Sequence, residues 1–497
     1  MRSVEVVLAL VALATVVATF ARRLRLPAPS LLVVAGLAVG FTPYGSSVHV
    51  PPEAIGLIVL PPLLYAAGEE LSWRDLKAVW RPVAILAVGL VLVSAAVVGA
   101  VTTLVTGLPL ALGFLLGAIL AATDPVAVTA LGRRLSLPPR MQTLVQAESL
   151  FNDATSLILY RVAVGIALAM TGTGAIISSG GLAWDFVRLA GGGTLTGAIV
   201  AAAVAEVRKR TEDPILESVI ALLTPYIAYV VAESLTTSGV TSVVVAGVIL
   251  GVRAPRLTNA RIRLQLGAVY GTVIFILESV VFSLIGLQLP TLMKELGNLR
   301  WVLAALAVAV TLLLVRVAWV LPLAGRRSWR ASVVVTWAGA RGVVPLAAAL
   351  SIPLALPSRD LLQVLATAVI VISLIVQGFT LAPLVRLTGV AVTPEDERGE
   401  HERAVTAMIG AANAYLDGLE DADAVAPVVV ERVRRALRDR AEDSDDVAGD
   451  YRRIQRAVLG VERAELARMH DEGLIGEVTR RALTHRLDRE ELRFTED

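Results

Sequence analysis

The amino-acid sequence predicts an all-α protein that crosses a membrane many times and ends in a polar, helical tail. The 497 residues are 56% hydrophobic with a mean hydropathy of +0.72, which is too apolar for a soluble protein of this length. Apolar runs of about membrane-spanning length recur from residue 4 to about residue 385. The formal charge is +11 over residues 1–394 and −9 over residues 395–497. We therefore predict a transmembrane domain over 1–390 and a cytoplasmic helical domain over 391–497.

Thirteen apolar runs are predicted to be membrane-spanning helices. The first run lacks the basic start and the A-x-A cleavage site of a signal peptide, so we interpret it as a retained helix. Several runs are shorter than the ~20 apolar residues that a straight span needs, so some helices are expected to be tilted or broken. The runs lie at residues 4–20, 28–41, 53–67, 82–105, 109–131, 141–170, 185–206, 215–235, 240–252, 266–289, 300–322, 331–355 and 360–385.

The basic residues between the runs support this count. The connections after odd-numbered spans hold 19 Lys and Arg residues, and those after even-numbered spans hold four when Arg188 and Arg300, at the start of the following spans, are included. Because positive charge marks the cytoplasmic side, the N-terminus is predicted to lie outside and the tail in the cytoplasm. An odd count also makes spans 1–6 and 8–13 run in opposite senses, which permits two inverted six-helix repeats around span 7.

The fifth span carries a helix-breaking signal in the sequence AATDPVAV, residues 121–128. Pro125 has no N–H to donate to the carbonyl of Ala121, and its ring crowds that turn. Thr123 and Asp124 stand at the predicted break. Backbone groups freed in mid-membrane need water or ions as partners, so we interpret the break as part of a site rather than as a kink that only shapes packing.

The twelfth span carries a second signal in the sequence WAGARGVVPLA, residues 337–347. Gly339, Gly342 and Pro345 weaken the helix, and Arg341 lies between them. An aspartate at one break and an arginine at the other are expected to neutralise the opposed ends of the half-helices.

The sixth span carries polar side chains on one helical face. Ser149, Asn152, Asp153 and Ser156 are spaced i, i+3, i+4 and i+7 within AESLFNDATS, residues 147–156. Their oxygens suit a hard cation such as Na⁺ or Li⁺, and the carboxylate can instead hold a proton. A hydrogen-bonded contact between helices is the alternative, but carboxylates inside membranes are usually functional.

Two further acidic residues, Glu148 and Glu278, lie in apolar runs. Arg316, in TLLLVRVAWVLPL, would cost several kcal/mol if it were isolated in the membrane, and Glu148 is its expected partner in a structural ion pair. Glu278 is another buried acid, for which Arg341, Arg161 and a role as an accessory proton site remain open.

Glu217 and Glu233 lie near span ends, where solvated positions are expected.

The motifs ESLFNDATS, ATDPVAV and GARGVVPLA together resemble the monovalent cation:proton antiporters of the first cation:proton antiporter group, the bacterial and archaeal relatives of animal sodium/proton exchangers. The resemblance covers residues 1 to about 390, and the three motifs occur in the family's order. It implies a thirteen-helix fold with crossed broken helices, in a multi-pass protein of the plasma membrane. It also implies a homodimer in which a mobile core bundle moves against the dimerisation helices.

The resemblance implies a role for each polar residue of the first two motifs. Asp153 would bind the cation and the proton, and Asn152 stands where electrogenic relatives carry a second aspartate, which implies electroneutral exchange. Thr123 and Ser149 would supply ligand oxygens for Na⁺ beside Asp153, and Asp124 would help to order the crossing.

The resemblance also assigns the basic residues. Arg341 would neutralise the facing helix ends of the second broken span, and Glu148 with Arg316 matches the family's buried ion pair. Some relatives carry a glutamate after a PPLL-type run in the third span, whereas this chain has Ala66 and Ala67 there. Selectivity between Na⁺ and K⁺ is therefore left open.

The predicted function is antiport of Na⁺ or Li⁺ against H⁺, one for one, by alternating access around Asp153. A K⁺/H⁺ antiporter of the same fold is the alternative, and a cation channel is a weaker one because the polar residues form one site rather than a continuous pore.

An enzyme is not predicted. The chain has no cysteine, none of its four histidines lies in an apolar run, and no zinc, nucleotide or P-loop motif occurs in the spans or the tail. We expect no cofactor beyond the transported ions, and no nucleic acid as a partner.

Overall fold

The computed structural model of the chain describes residues 2–24, 27–42, 55–124, 137–170, 179–211, 213–258, 260–296, 300–323, 329–391, 394–421 and 427–441, with short stretches between 458 and 487. Helices account for the regular structure of these residues, which include no strand. The chain divides into two compact units, Met1–Val392 and Thr393–Asp497.

The first unit contains fourteen helices among the described residues. In chain order they are α1 (Arg2–Leu24), α2 (Ala28–Gly40), α3 (Leu60–Glu69, after the π-helical turn Ile55–Val59), α4 (Trp73–Thr106), α5 (Leu110–Ala121), α6 (Pro139–Met170), α7 (Ser179–Arg208), α8 (Pro214–Ser234), α9 (Gly239–Leu257), α10 (Ala260–Leu296), α11 (Arg300–Leu323), α12 (Trp329–Trp337), α13 (Val343–Leu350) and α14 (Arg359–Thr388).

Local sequence explains where several of these helices begin and end. The side chain of Ser72 accepts a hydrogen bond from Asp75 N at the start of α4, and Asp213 and Ser238 cap α8 and α9 in the same way. Gly107 ends α4 with a φ of +75°, a conformation that costs glycine little.

A π-helical stretch, Ile85–Leu90, interrupts α4. It follows Pro82, which has no N–H to offer the helical ladder, so the hydrogen bonds that follow are displaced.

Length and composition separate the apolar helices into long and short ones. Seven helical stretches among the described residues are long and apolar enough to cross a membrane, and five further apolar stretches are shorter. Large apolar side chains also lie on the outer surface, where Leu303 is 69% exposed and Leu104 83% exposed. A bilayer accommodates such side chains at no cost, whereas water does not.

Glycines bring the helices into close contact. A Cβ at Gly36 of α2 would overlap the backbone of α10, and one at Gly286 of α10 would overlap that of α2. The pair of α3 and α9 is joined in the same way, through Gly68 and Gly247. Small residues allow this approach because van der Waals contact, rather than the hydrophobic effect, holds helices together in a membrane.

Two groups of helices emerge from these contacts. In one group α4, α5, α6, α11, α12, α13 and α14 pack on one another, and in the other α1, α2, α3, α7, α8, α9 and α10 do so. Contacts of α14 with α2 and α10, and of α6 with α7 and α9, join the two groups.

The second unit contains α15 (Pro394–Asp421) and α16 (Pro427–Ala441). These helices contact each other, and an ion pair links Arg434 of α16 to Asp417 of α15. Further along, Arg468 forms surface ion pairs with Glu465 and Glu472.

Candidate ion-binding site

Two non-helical segments meet in the first unit. Helix α5 ends at Ala121 and is followed by residues 122–124, of which Ala122 is extended, and residues 338–342 separate α12 from α13. The backbone N–H of Asp124 donates to the carbonyl of Ala340 over 2.7 Å, so the two segments are in direct contact. The rest of the predicted fifth span, including Pro125, lies outside the described residues.

Each of the two segments carries a charge that binds the helix end beside the other segment. Arg341 Nη1 donates to the carbonyls of Ala121, at 2.7 Å, and Ala122, at 2.8 Å, where α5 ends. The Oδ2 of Asp124 accepts from the N–H of Val343, at 3.3 Å, where α13 begins. Both charges have the sign that stabilises those ends. The resemblance implied that Arg341 serves the second broken span, whereas its guanidinium binds the first.

The glycines of the second segment make room for charged side chains. A Cβ at Gly342 would overlap the carboxylate of Asp124, and a Cβ at Gly339 would lie 2.5 Å from Nε of Arg316. These positions therefore require glycine because of close approach, in addition to the helix weakening that the sequence suggested.

The polar face of α6 meets the end of α5 in a hydrogen-bond network. Asn152 Nδ2 donates to Thr123 Oγ1 over 2.7 Å, and the backbone N–H of Thr123 donates to Asn152 Oδ1 over 3.3 Å. The hydroxyls of Thr123 and Ser149 lie 3.0 Å apart and share a hydrogen bond. Ser156 is not part of this network, since its hydroxyl donates to the carbonyl of Ala118 over 2.7 Å.

Asp153 differs from its polar neighbours. It is 6% exposed, and its Oδ1 is buried with no hydrogen-bond partner among the described residues. An unpartnered carboxylate oxygen in a low-dielectric surrounding is costly unless a proton or a cation joins it. The groups around it supply only oxygen and nitrogen atoms, and no three His, Cys, Asp or Glu side chains cluster within the described part of the chain. This donor set suits alkali cations and protons better than transition metals.

A cavity of about 660 Å³ reaches the site. It follows α10 from Arg263 to Glu278 and α6 from Gln146 to Asp153. Five acidic side chains line it, and two arginines do so. The acids are Glu69, Glu70, Asp124, Asp153 and Glu278, and the arginines are Arg208 and Arg263. Its lining therefore favours cations over anions.

Glu148 lies in a different environment from Asp153, on the same helix. Arg316 Nη1 and Nη2 donate to its two carboxylate oxygens over 2.5 and 3.0 Å. The same guanidinium donates to the carbonyls of Thr336, over 3.0 Å, and Val335, over 3.1 Å, at the end of α12. Both side chains are buried, at 1% and 2% exposure. This pair joins three helices and fixes the end of one half-helix.

The sequence also singled out Glu217, Glu233 and Glu278, and the structure places each of them. The prediction that Glu217 is solvated is wrong, because it is fully buried and accepts from Arg208 Nε over 2.7 Å. Glu233 is about one-third exposed and pairs with Arg161. Glu278 lines the cavity, and neither Arg161 nor Arg341 binds it within the described residues.

The buried pair of Arg208 and Glu217 was missed for an identifiable reason. Arg208 ends a long apolar run, and the count of basic residues assigned it to a cytoplasmic connection. The only signal for the pair was the short distance in sequence between Arg208, at the end of α7, and Glu217, in the first turn of α8.

Comparison with known proteins identifies the family. The family described as sodium/hydrogen exchanger, transmembrane, matches residues 8–387. The low-affinity Na(+)/H(+) antiporter NhaS1 of Synechocystis sp. is 33% identical over 420 residues, which cover 82% of this chain and 78% of that protein. The sodium, potassium, lithium and rubidium/H(+) antiporter of Bacillus pumilus is 31% identical over 411 residues, which cover 76% of this chain and 60% of that protein.

A solved structure is similar in fold. The sodium proton antiporter MjNhaP1 from Methanocaldococcus jannaschii superposes with a TM-score of 0.64 at 21% identity, over 79% of this chain and 98% of that one. The predicted all-α, multi-pass membrane fold is confirmed, whereas the count of thirteen spans and the inverted repeats stay predictions.

The family consists of transporters rather than enzymes. The chain belongs to the sodium/hydrogen exchanger family and is a monovalent cation:proton antiporter.

Proposed function

We propose that the chain exchanges Na⁺ or Li⁺ for H⁺, one for one, at Asp153. The main support for this proposal is the environment of the Asp153 carboxylate. Oδ1 is buried without a partner among the described residues, and the side chain lines the acidic cavity. A carboxylate in that position is neutralised by a proton or by a cation, and each excludes the other.

Neighbouring oxygens support cation binding at this carboxylate. The hydroxyls of Thr123 and Ser149 lie 3.0 Å apart, and Thr123 lines the same cavity as Asp153. Asn152 holds Thr123 through two hydrogen bonds and so acts as a positioning residue. Asp124 orders the crossing by binding the start of α13. With Asn152 uncharged, one titrating carboxylate carries each ion, so exchange moves no net charge.

Alternating access supplies the transport step in this proposal. The cavity runs along α6 as far as Asp153 and involves no α6 residue beyond it, which supports access from one side. That side carries the ends of α3 and α9 and the start of α10, and the distribution of basic residues predicts that it is cytoplasmic. The protein thus faces the cytoplasm in this conformation, with its N-terminus outside and its C-terminal unit in the cytoplasm.

The architecture proposed for this mechanism has thirteen spans in two inverted six-helix repeats. Glycine-mediated packing supports the repeats. The proposed repeat matches α2 with α9 and α3 with α10, so it converts the pair of α2 and α10 into the pair of α9 and α3, and both pairs are in close contact through glycines. We further propose a transmembrane domain over 1–390 and a cytoplasmic domain over 391–497, in a homodimer of the plasma membrane. The core bundle would contain the helices that form the crossing.

Transport of K⁺ is the second candidate function. The name of the Bacillus pumilus relative includes potassium and rubidium among its ions. Ala66 and Ala67 line the cavity where some relatives carry a glutamate, so these two positions offer no carboxylate to select a small cation.

Purified protein in liposomes provides the test. Proton flux is measured on addition of Na⁺, Li⁺ or K⁺, with and without an imposed membrane voltage. We expect flux with Na⁺ and Li⁺ that is insensitive to voltage and is abolished in Asp153→Asn. Ser156→Ala is the matched control, since Ser156 is a buried polar residue of the same face with its partner elsewhere. Flux in Asp153→Asn at the rate of the control contradicts the proposal, and flux only with K⁺ favours the second candidate.

A further inference from the structure

An ion pair lies on the side of Asp153 away from the cavity. Arg161 of α6 binds Glu233 of α8, and the two side chains are 36% and 33% exposed. Arg161 is eight residues beyond Asp153 on the same helix, which corresponds to ~12 Å along the helix axis. The pair is thus separated from Asp153 by two helical turns, in the direction opposite to the cavity.

The two members of this pair belong to different groups of helices. Arg161 is part of α6, which carries the ion site and packs with α5. Glu233 is fixed to the other group, because its Oε1 accepts a hydrogen bond from the N–H of Gly239, at 3.0 Å, in the first residue of α9. The N-terminus of α9 favours this negative charge. Arg161 therefore links the helix group that contains α6 to a carboxylate that is fixed in the other helix group.

The cavity reaches Asp153 from one side. The residues of α6 that line it are Gln146, Leu150 and Asp153, spaced on one face. Leu157 and Arg161 continue that face at intervals of four residues, and neither lines the cavity. Leu157 is half-buried between the ion site and the ion pair.

We propose that Arg161 and Glu233 form a latch that keeps the far side of Asp153 closed while the cavity is open. The inference rests on the alternating access proposed above, which makes the far side external. The ion pair breaks when the helix group that carries α6 moves, and the external side then opens. The pair sets how readily the outward-facing conformation forms, and it binds neither the cation nor the proton.

The absence of cysteine from the sequence allows a direct test. Leu157→Cys introduces a single thiol between Asp153 and the latch. Its rate of labelling by a membrane-impermeant thiol reagent is measured in right-side-out vesicles, with the latch intact or altered. We expect Arg161→Gln and, independently, Glu233→Gln each to raise the external labelling rate roughly fivefold. This is the upper end of the effect expected from the loss of a partly exposed ion pair. The reversed pair, Arg161→Glu with Glu233→Arg, should return the rate towards its original value.

A matched control comes from an ion pair within one helix. Arg188 Nη2 and Asp185 Oδ1 of α7 are 3.7 Å apart, and both side chains are about half exposed. Because this pair lies within one helix, Arg188→Gln removes a similar charge but breaks no contact between the two groups of helices. We expect it to leave the labelling rate unchanged. Equal labelling in Arg161→Gln, Glu233→Gln and Arg188→Gln overturns the latch.

The outcome separates the latch from the proposed function. Labelling requires no transport, so it is also measured with Asp153→Asn present. If Asp153→Asn retains antiport while the latch variants still raise labelling, the assignment of Asp153 fails and the latch stands. If Asp153→Asn abolishes antiport and the latch variants do not change labelling, the latch fails and Asp153 stands.

Discussion

Glu148 and Asp153 lie five residues apart on α6, and both are buried, yet their surroundings are opposite. Arg316 binds both carboxylate oxygens of Glu148 and at the same time binds backbone carbonyls of α12. Asp153 has an oxygen with no partner among the described residues, and it faces a cavity. Burial alone therefore does not distinguish a carboxylate that holds helices together from one that is open to an ion. A carboxylate with a permanent cationic partner holds helices together, and one without such a partner is free to take an ion.

Removing the charge of Glu148 should cause the largest change. In Glu148→Gln the guanidinium of Arg316 stays buried without its counter-charge, and breaking a buried pair in this way costs about 3–5 kcal/mol. We expect a marked fall in the melting temperature of the detergent-solubilised protein. Asp153→Asn is the control from the same helix and should melt close to the unaltered protein. Equal melting of Glu148→Gln and Asp153→Asn would remove the distinction between the two carboxylates.

Adding a charge beside Asp153 should change how transport responds to voltage. Asn152→Asp places a second carboxylate in the site, so one transported charge is no longer balanced. Moving one elementary charge across 100 mV corresponds to ~2.3 kcal/mol. We expect antiport in liposomes to become sensitive to an imposed potential, whereas the unaltered protein is not. A voltage-insensitive Asn152→Asp variant with normal flux would argue against a single titrating carboxylate in the native site.

Crowding the crossing should have an intermediate effect. Gly342→Ala introduces a Cβ into the space occupied by the carboxylate of Asp124, and overpacking of this kind costs about 1–3 kcal/mol. We expect lower flux and a lower melting temperature, because Asp124 is displaced from the start of α13. Gly191→Ala in α7 is the matched control, since nothing lies within 4 Å of the added Cβ there. Identical behaviour of the two variants would show that Asp124 is not constrained at the crossing.

Removing a ligand hydroxyl should have the smallest effect. Ser149→Ala deletes the hydroxyl that shares a hydrogen bond with Thr123, and the loss of one such polar contact is worth ~1 kcal/mol. We expect the Na⁺ concentration for half-maximal flux to rise roughly fivefold, with maximal flux little changed. The measurement is the Na⁺ dependence of proton flux in liposomes. An unchanged Na⁺ dependence would exclude Ser149 from the cation's ligands.

The sequence predicted most of the fold because the membrane imposes simple rules. Each apolar run contains helix among the described residues, and the break around Arg341 follows from Gly339 and Gly342. Arg316 needed a carboxylate in the membrane, and the structure pairs it with Glu148.

What the sequence did not predict depends on contacts between distant helices. The guanidinium of Arg341 binds the end of α5 because the segment between α12 and α13 contacts that end, and local sequence does not fix this contact. The pairing of Arg161 with Glu233 likewise requires α6 and α8 to be neighbours. Glu217 was misjudged because its position near the end of an apolar run suggested solvent, whereas α7 and α8 bury it with Arg208.

The central claim is that Asp153 holds either a proton or a cation. The most direct test counts protons released when Na⁺ is added to the purified protein in a lightly buffered solution. About one proton should be released for each Na⁺ bound, and none from Asp153→Asn. Proton release from Asp153→Asn in the same amount as from the unaltered protein would exclude Asp153 as the group that exchanges the proton for the cation.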